Sequence, residues 1–180
     1  MVKTLYSVTM SVDGFIAGPG GDMSWLTEHV GPDPLVDDLI GRIGALLVGR
    51  RTFGGDDPNR GTEKEGAFGG SWEGPQFVLT HRLPVDPVPG VTFVDDLERA
   101  VAEAKAAAGG KEYVNVLGAE TARGCLEAGL LDELLVFSVP VLLGDGVRLF
   151  DHPGGTNVPL ERLAVGSTPN ATHVWLRVVR

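Results

Sequence analysis

Residues 113–150, YVNVLGAETARGCLEAGLLDELLVFSVPVLLGDGVRLF, constrain the fold more than any other stretch of the chain. An apolar run, a glycine, a helical segment, a second apolar run and a Pro-then-Gly corner read as strand, turn, helix, strand. A strand that passes through Gly118 into a helix leaves bare backbone N–H groups in the first helical turn, an arrangement suited to an anion such as phosphate. The second strand ends at Gly144-Asp145-Gly146, where backbone can come close to a ligand. The passage predicts a nucleotide or sugar-phosphate pocket at the strand ends of an α/β sheet. It names no reaction.

The flanking elements extend that sheet. Leu5 to Met10 reads as a strand closed by the turn dipeptide Asp13-Gly14, and Pro19-Gly20-Gly21 continues a loop towards Trp25-Leu26. Asp33 caps a helix with Pro34 at its first position, and Leu35, Leu39, Ile40 and Ile43 fall at helical spacing. Ala45 to Val48 is a continuous apolar run, predicting a strand buried on both faces. Gly54 to Pro75 is rich in Gly and charge, and its length predicts a functional lid or a disordered loop, with Phe68 and Trp72 covering a pocket. Gln76 to Thr80 and Val91 to Val94 are further strands. Asp95-Asp96 starts an Ala-rich helix that stops at Gly109-Gly110. Leu160 to Gly166 and Thr172 to Val179, joined through Pro169-Asn170, read as an antiparallel hairpin. Alternating strands and helices followed by a hairpin predict a mixed, mainly parallel sheet with an antiparallel edge.

Length and charge bound the function. A chain of 180 residues with 43% hydrophobic and 22% charged residues suits one soluble domain with a real core. The net charge of −9 repels nucleic acid and anionic membrane, so any phosphate must be held by local Arg, Lys or backbone N–H groups. The one cysteine, Cys125, excludes an internal disulfide, fits a reducing cytosol and sits at an apolar helical position, as a buried inert thiol would. The first residues lack a signal peptide's apolar region, and no apolar run approaches a membrane span of about 20 residues. The expectation is a cytoplasmic protein.

Two basic segments follow predicted strands. Gly49-Arg50-Arg51-Thr52-Phe53 places two guanidiniums and a hydroxyl at a strand's carboxyl end, which suits a phosphate as well as it suits a solvated basic turn. Thr80-His81-Arg82 repeats the pattern after the next strand. If those strands are neighbours, Arg50 or Arg51 lies near Arg82, and such a pair grips a 2′-phosphate and favours NADP over NAD. His81 alone carries little. Gly118-Ala119-Glu120-Thr121 is not the GxGxxG fingerprint, although it can seat a pyrophosphate through backbone N–H groups. Glu120 in that first turn satisfies the helix dipole itself and opposes a close phosphate. Asp13 suits either a simple Asp-Gly turn or a substrate-orienting, proton-relaying carboxylate. Asp33 and Asp37 are further acids on the first helix. The four histidines (His29, His81, His152, His173) have no metal-ligand spacing, and no nucleophile elbow is present.

The blocks SVDGFIA (11–17), LLVGRRTF (46–53), FVLTHR (77–82) and VNVLGAETARGCLEAGLLDELLVFSVPVLLGDGVRLF (114–150) together resemble the dihydrofolate reductase-like superfamily, and within it the riboflavin-biosynthesis reductase C-terminal domain family. The resemblance implies a single dihydrofolate reductase-like three-layer sandwich over residues 1–180 and an NADPH-dependent reductase acting on a small molecule. It places the cofactor on Ala17, Gly49, Arg50, Arg51, Thr52, Thr80, His81, Arg82, Gly118, Ala119, Glu120 and Thr121. It puts Asp13 at the chemistry and Trp25, Phe53, Pro140 and Leu142 in the substrate wall, with no metal. A homodimer is implied, with Leu134, Val136, Phe137 and Val139 pairing across a two-fold axis. The family commonly shows Gly-Gly where this chain has Gly118-Ala119, so a different or strained turn is expected. The Gly54 to Pro75 segment is an unusual insertion, and the expectation is a stand-alone reductase domain without the deaminase domain often fused to the riboflavin reductase.

Two classes of function remain open at this point. One is a stand-alone NADPH-dependent reductase of a ribosylamino-uracil or, less well supported by Asp33 and Asp37, of a pterin such as dihydrofolate. The other is a module on the same fold that binds a dinucleotide or metabolite without turnover.

Overall fold

The computed structural model describes residues 1–84 and 86–180. Its centre is an eight-stranded sheet in the order β5-β4-β3-β6-β1-β7-β10-β9. These are β1 (Lys3–Ser11), β3 (Ile43–Gly49), β4 (Gln76–Leu79), β5 (Val91–Val94), β6 (Tyr113–Leu117), β7 (Glu133–Val139), β9 (Leu160–Ser167) and β10 (Thr172–Val178). Strands β1, β3, β4, β5, β6 and β7 run parallel, and β10 and β9 complete the sheet as the antiparallel hairpin expected from the sequence. A short separate pair joins β2 (Phe15–Ala17) to β8 (Val147–Arg148).

Alternation sorts the strand residues between two apolar layers. Leu5, Leu46, Val48, Val78 and Leu135 face α1 (Pro34–Arg42), which contributes Leu39. Tyr6, Leu47, Val114, Val116 and Leu134 face α3 (Leu97–Ala107) and α4 (Ala119–Glu127), which contribute Ala100, Ala104, Ala122 and Cys125. The central strands are buried on both sides, which is why their sequences are continuous apolar runs. Helices α1 and α3 carry the caps read from the sequence. Asp33 accepts from the Leu35 N–H at 2.9 Å, and Asp96 accepts from the Arg99 N–H at 2.7 Å.

At the amino-terminal edge of the sheet one buried carboxylate ties four strands together. Glu133, 2% exposed, accepts from Lys3 Nζ at 2.8 Å, Tyr113 Oη at 3.0 Å and Trp175 Nε1 at 2.8 Å. The Arg42 guanidinium lies over the rings of Tyr113 and Trp175 and bonds Glu112 through Nε and Nη2. Residues of β1, β6, β7 and β10, with the end of α1, therefore meet on one polar cluster.

Two expectations are corrected here. The Gly54 to Pro75 segment is neither a pocket lid nor a disordered loop. Strand β3 ends at one edge of the sheet, and its parallel neighbour β4 must start at the other. Parallel neighbours need a crossover of a dozen or more residues, and this segment is that crossover. Trp72 anchors it, 8% exposed in the α1-side core, with Nε1 donating to the Ile43 carbonyl at 3.2 Å. Phe68 packs against the same core instead of covering a pocket. The proposed two-fold pairing through Leu134, Val136, Phe137 and Val139 also fails as stated. All four are at most 7% exposed within this one chain, and β7 is paired on both edges, by β1 and β10. Leu160, Leu163 and Val165 of β9 and Val179 after β10 are the large apolar residues left exposed in this region among the described residues.

If Trp72 is what seats the crossover, Trp72→Ala should cost about 3–5 kcal/mol of unfolding free energy, the usual range for deleting a buried aromatic. Denaturant unfolding measures it. A loss below about 0.5 kcal/mol, typical of a surface site, would show the segment to be loosely attached.

Candidate functional site

The carboxyl ends of the parallel strands form a row, and two of them interlock. Gly49 ends β3 and opens the one-turn helix α2 (Arg50–Phe53), while Gly118 follows β6 and opens α4. The register sets Val48 beside Leu117, so the two turns are neighbours. A Cβ on Gly118 would stand 2.5 Å from Thr52 Oγ1, and a Cβ on Gly49 would stand 2.6 Å from Thr121 Oγ1. Each glycine thus makes room for the threonine of the opposite turn. Gly118 has a second reason to be glycine, because its φ is +104°.

This geometry removes the difficulty expected at Ala119. The position that needs glycine is 118. Ala119 is the first residue of α4 and has ordinary backbone, where alanine is favoured. No side chain caps α4. Its first-turn N–H groups therefore remain the kind of donors that an anion uses. Glu120 is engaged by Arg51, whose Nη1 lies 2.8 Å from Oε1 in a solvent-exposed ion pair bridging the two turns.

Next along the row, Arg50 and Arg82 line one cleft of about 280 Å3, together with Phe53, Leu83, Val88 and Phe93. The parallel pairing of β3 with β4 is what brings the two arginines together. Thr80 positions Arg82: its hydroxyl oxygen accepts from the Arg82 N–H at 3.0 Å and donates to the Arg82 carbonyl at 3.2 Å. The Thr80 N–H is itself held by the Val94 carbonyl at 2.8 Å. His81 between them is exposed. Phe53 and Phe93 meet edge to face, with ring centroids 5.6 Å apart, and form the apolar wall. Phe53 therefore belongs with the arginines, not in a wall with Pro140 as the resemblance had suggested.

Beyond β6 the edge is organised by Asp13. Its Oδ1 accepts from Ser11 Oγ at 2.6 Å and from the Leu143 N–H at 3.1 Å, and its Oδ2 accepts from the Gly144 N–H at 2.7 Å. The Ser11 hydroxyl, followed by the backbone N–H groups of Gly144 and Leu143, holds the Asp13 carboxyl below its ordinary 3.8. With these three donors the Asp13 carboxylate fastens the loop after β7. Ala17 lies in β2, 7% exposed, and the backbone of Ala17 and Gly18 presses against Gly146. The close approach allowed by Gly146 is therefore taken by the chain itself, where the sequence suggested a ligand.

Pro140 lines a second cleft of about 250 Å3 with Val12, Ser138 and the β9–β10 turn from Thr168 to Thr172. That turn was read from the sequence as a hairpin connection only, and no residue pattern places it beside Pro140. Leu142 is exposed. Trp25 sits on a 3-10 helix, Ser24–Glu28, tilted against His29 with ring centroids 6.3 Å apart. Among the described residues no group of three or more His, Cys, Asp or Glu could hold a metal ion. No described helix is long and apolar enough to cross a membrane. Cys125 is buried, and loss of solvent pushes its thiol up to about 12, which makes it unreactive.

The parallel sheet, the two helical layers and the antiparallel hairpin define an α/β protein of dihydrofolate reductase-like architecture, with its accessible glycine turns and arginines on the strands' carboxyl edge. The model of the RibD C-terminal domain matches residues 3–174, and the chain belongs to that family. It is 27% identical over 157 residues to the riboflavin biosynthesis protein RibD of Corynebacterium ammoniagenes; the match covers 79% of this chain and 44% of that protein, less than half its length. Among solved structures, a riboflavin biosynthesis protein from Shewanella sp. PV-4 superposes with a TM-score of 0.76 at 24% identity, over 99% of this chain and all of the other. The diaminohydroxyphosphoribosylaminopyrimidine deaminase/5-amino-6-(5-phosphoribosylamino)uracil reductase of Thermotoga maritima superposes with a TM-score of 0.67 at 17% identity, over 99% of this chain and 57% of that one.

The meshed turns make a discriminating test. Gly49 has an ordinary φ of −71°, so Gly49→Ala should destabilise only through the Thr121 hydroxyl, and Thr121→Ala in the same chain should restore most of the loss. Gly118→Ala should cost about 1–3 kcal/mol through its backbone as well, and Thr52→Ala should not rescue it. Thermal unfolding of the single and double variants checks both expectations.

Asp13 generates a pH expectation. Its folded pKa is lowered, so its contribution is complete above the ordinary 3.8 and is lost as the pH falls through the folded value. Hydrogen-exchange protection of the Leu143 and Gly144 amides should therefore persist at neutral pH and collapse in acid. Asp13→Asn should lose most of that protection at neutral pH.

Proposed function

We propose that the protein is an NADPH-dependent reductase of a small heterocyclic substrate, within the reductase family to which the chain belongs. The observation that carries this reading is the conjunction of the Gly49/Gly118 turns with the Arg50–Arg82 cleft on one edge. The glycine cradles fit a dinucleotide pyrophosphate, which side chains at 49 or 118 would obstruct. In this reading the amides of Ala119, Glu120 and Thr121 hold the pyrophosphate, with the Thr52 and Thr121 hydroxyls beside them.

Arg50 and Arg82 take the 2′-phosphate, which distinguishes NADPH from NADH. Phe53 and Phe93 offer the adenosine end an apolar wall, and Arg51 is the adjacent cation, tempered by Glu120. Bound NADPH supplies the hydride. The chain's own contribution is to hold the substrate at the other half of the edge, near Pro140 and Trp25, and to exclude water. Asp13 keeps the loop after β7 in place for this, and the balancing proton comes from solvent. The expected homodimer stays part of the proposal, with β9 as the available contact: Leu160, Leu163 and Val165 are exposed on a strand with one unpaired edge.

Calorimetry with NADPH and NADH tests the cofactor assignment. NADPH should bind at least about tenfold more tightly, a difference of about 1.4 kcal/mol, and Arg50→Ala with Arg82→Ala should abolish the preference. Equal affinity for the two cofactors, or a preference untouched by the double substitution, would remove the 2′-phosphate from this cleft. Absence of binding by either cofactor would end the reductase reading.

A further inference from the structure

The two clefts on the carboxyl edge differ in charge. The first is lined by Arg50 and Arg82. The second, between the end of β7 and the β9–β10 turn, is lined by Ser138, Thr168, Asn170 and Thr172 on its polar side, with Val12 and Pro140 among its apolar walls. Among the described residues no acidic or basic side chain lines it. The Thr168 hydroxyl oxygen accepts from the backbone N–H groups of Asn170 at 3.3 Å and Ala171 at 3.2 Å. Its lone pairs are thereby used, and its proton remains free to donate. The Asn170 side chain sits against Gly31, in the loop that leads to α1. Three hydroxyls and one amide thus frame a space that can bond hydroxyls, carbonyls or amides.

Nothing comparable to a phosphate site is present there. Phosphate is held by guanidinium or ammonium groups or by converging backbone amides, and charged partners are about twice as effective as neutral ones. The three arginines of the strand-end turns are elsewhere: Arg50 and Arg82 in the first cleft, and Arg51 paired with Glu120.

We propose that the second cleft receives an uncharged, hydroxyl- or amide-bearing part of the substrate, and that the substrate is an unphosphorylated heterocycle or nucleoside-like molecule. This separates the chain from the phosphoribosylamino-uracil after which the Thermotoga reductase is named. The inference rests on the reductase reading of the same edge, and it assigns Ser138, Thr168, Asn170 and Thr172 as residues that determine specificity.

The test uses the full chain saturated with NADPH and two probes, a ribosylamino-uracil with and without its 5-phosphate, measured by calorimetry and by NADPH oxidation. The unphosphorylated probe should bind about tenfold more tightly. Thr172→Lys, on an exposed strand position, should erode that ratio by about fivefold by tightening the phosphorylated probe. Thr172→Gln, which removes the hydroxyl without adding charge, should weaken both probes together and leave only their ratio unmoved. Preference for the phosphorylated probe, equal binding, a ratio unmoved by Thr172→Lys, or binding of neither probe at millimolar concentration would overturn the inference. NADPH binding is read first and alone. Its absence overturns the reductase reading, whereas its presence with the wrong probe preference overturns only the charge assignment of the second cleft.

Discussion

The close approach of two strand-to-helix turns, Gly49 against Thr121 and Gly118 against Thr52, is the constraint on which the carboxyl edge depends. Hydrogen-bonded strands lie about 4.8 Å apart, and with the two threonines placed as they are, a Cβ at 49 or 118 would meet a hydroxyl at 2.6 or 2.5 Å. Glycine on each strand end, with a threonine set back in each helix, solves the problem reciprocally. One consequence is that the N-terminus of α4 is brought level with the start of α2. A second is that Arg50 is set close to the end of β4, where the Thr80 turn delivers Arg82. The proposed cofactor grip thus follows from a packing requirement between neighbouring strands.

The opposite edge is held by different physics. Glu133 is a buried carboxylate that accepts from Lys3, Tyr113 and Trp175, residues of three other strands, and Arg42 stacks on two of those partners. Such a group is costly to bury and tolerates few alternative arrangements, so it favours one strand register more than it adds raw stability. With the amino edge pinned by polar bonds, the carboxyl edge can be devoted to glycine turns, clefts and exposed arginines. Asp13 repeats the principle on a smaller scale: a carboxylate bonded by Ser11 and two loop amides fastens the loop after β7.

The edge is divided by charge as well as by position. Its β3–β4 half concentrates the guanidiniums, and its β1–β7 half offers hydroxyls, an amide and apolar walls. On a chain of net charge −9, local cations are what attract an anionic ligand, and Arg50 and Arg82 share one cleft of the β3–β4 half.

Much of this was legible in the residues alone. The periodicity from Tyr113 to Phe150, the caps at Asp33 and Asp96 and the continuous apolar runs determined the order and type of the main elements, because those signals are local and act within a few residues. The grouping of Arg50 with Arg82 was legible on the single assumption that β3 and β4 are neighbours. What the tertiary structure alone decided depends on contacts between residues far apart in sequence. Trp72 reads as a loop aromatic until the parallel pairing of β3 and β4 turns its segment into a crossover. Asp13 reads as a free carboxylate until Leu143 and Gly144, some 130 positions later, donate to it. The glycine required at the turn after β6 is Gly118 and not residue 119, a choice set by backbone torsion and by the Thr52 hydroxyl across the strands. Phe53 joins the arginine cleft, and the hairpin turn joins Pro140, for the same reason: strand order, which no local pattern encodes, determines which strand ends become neighbours.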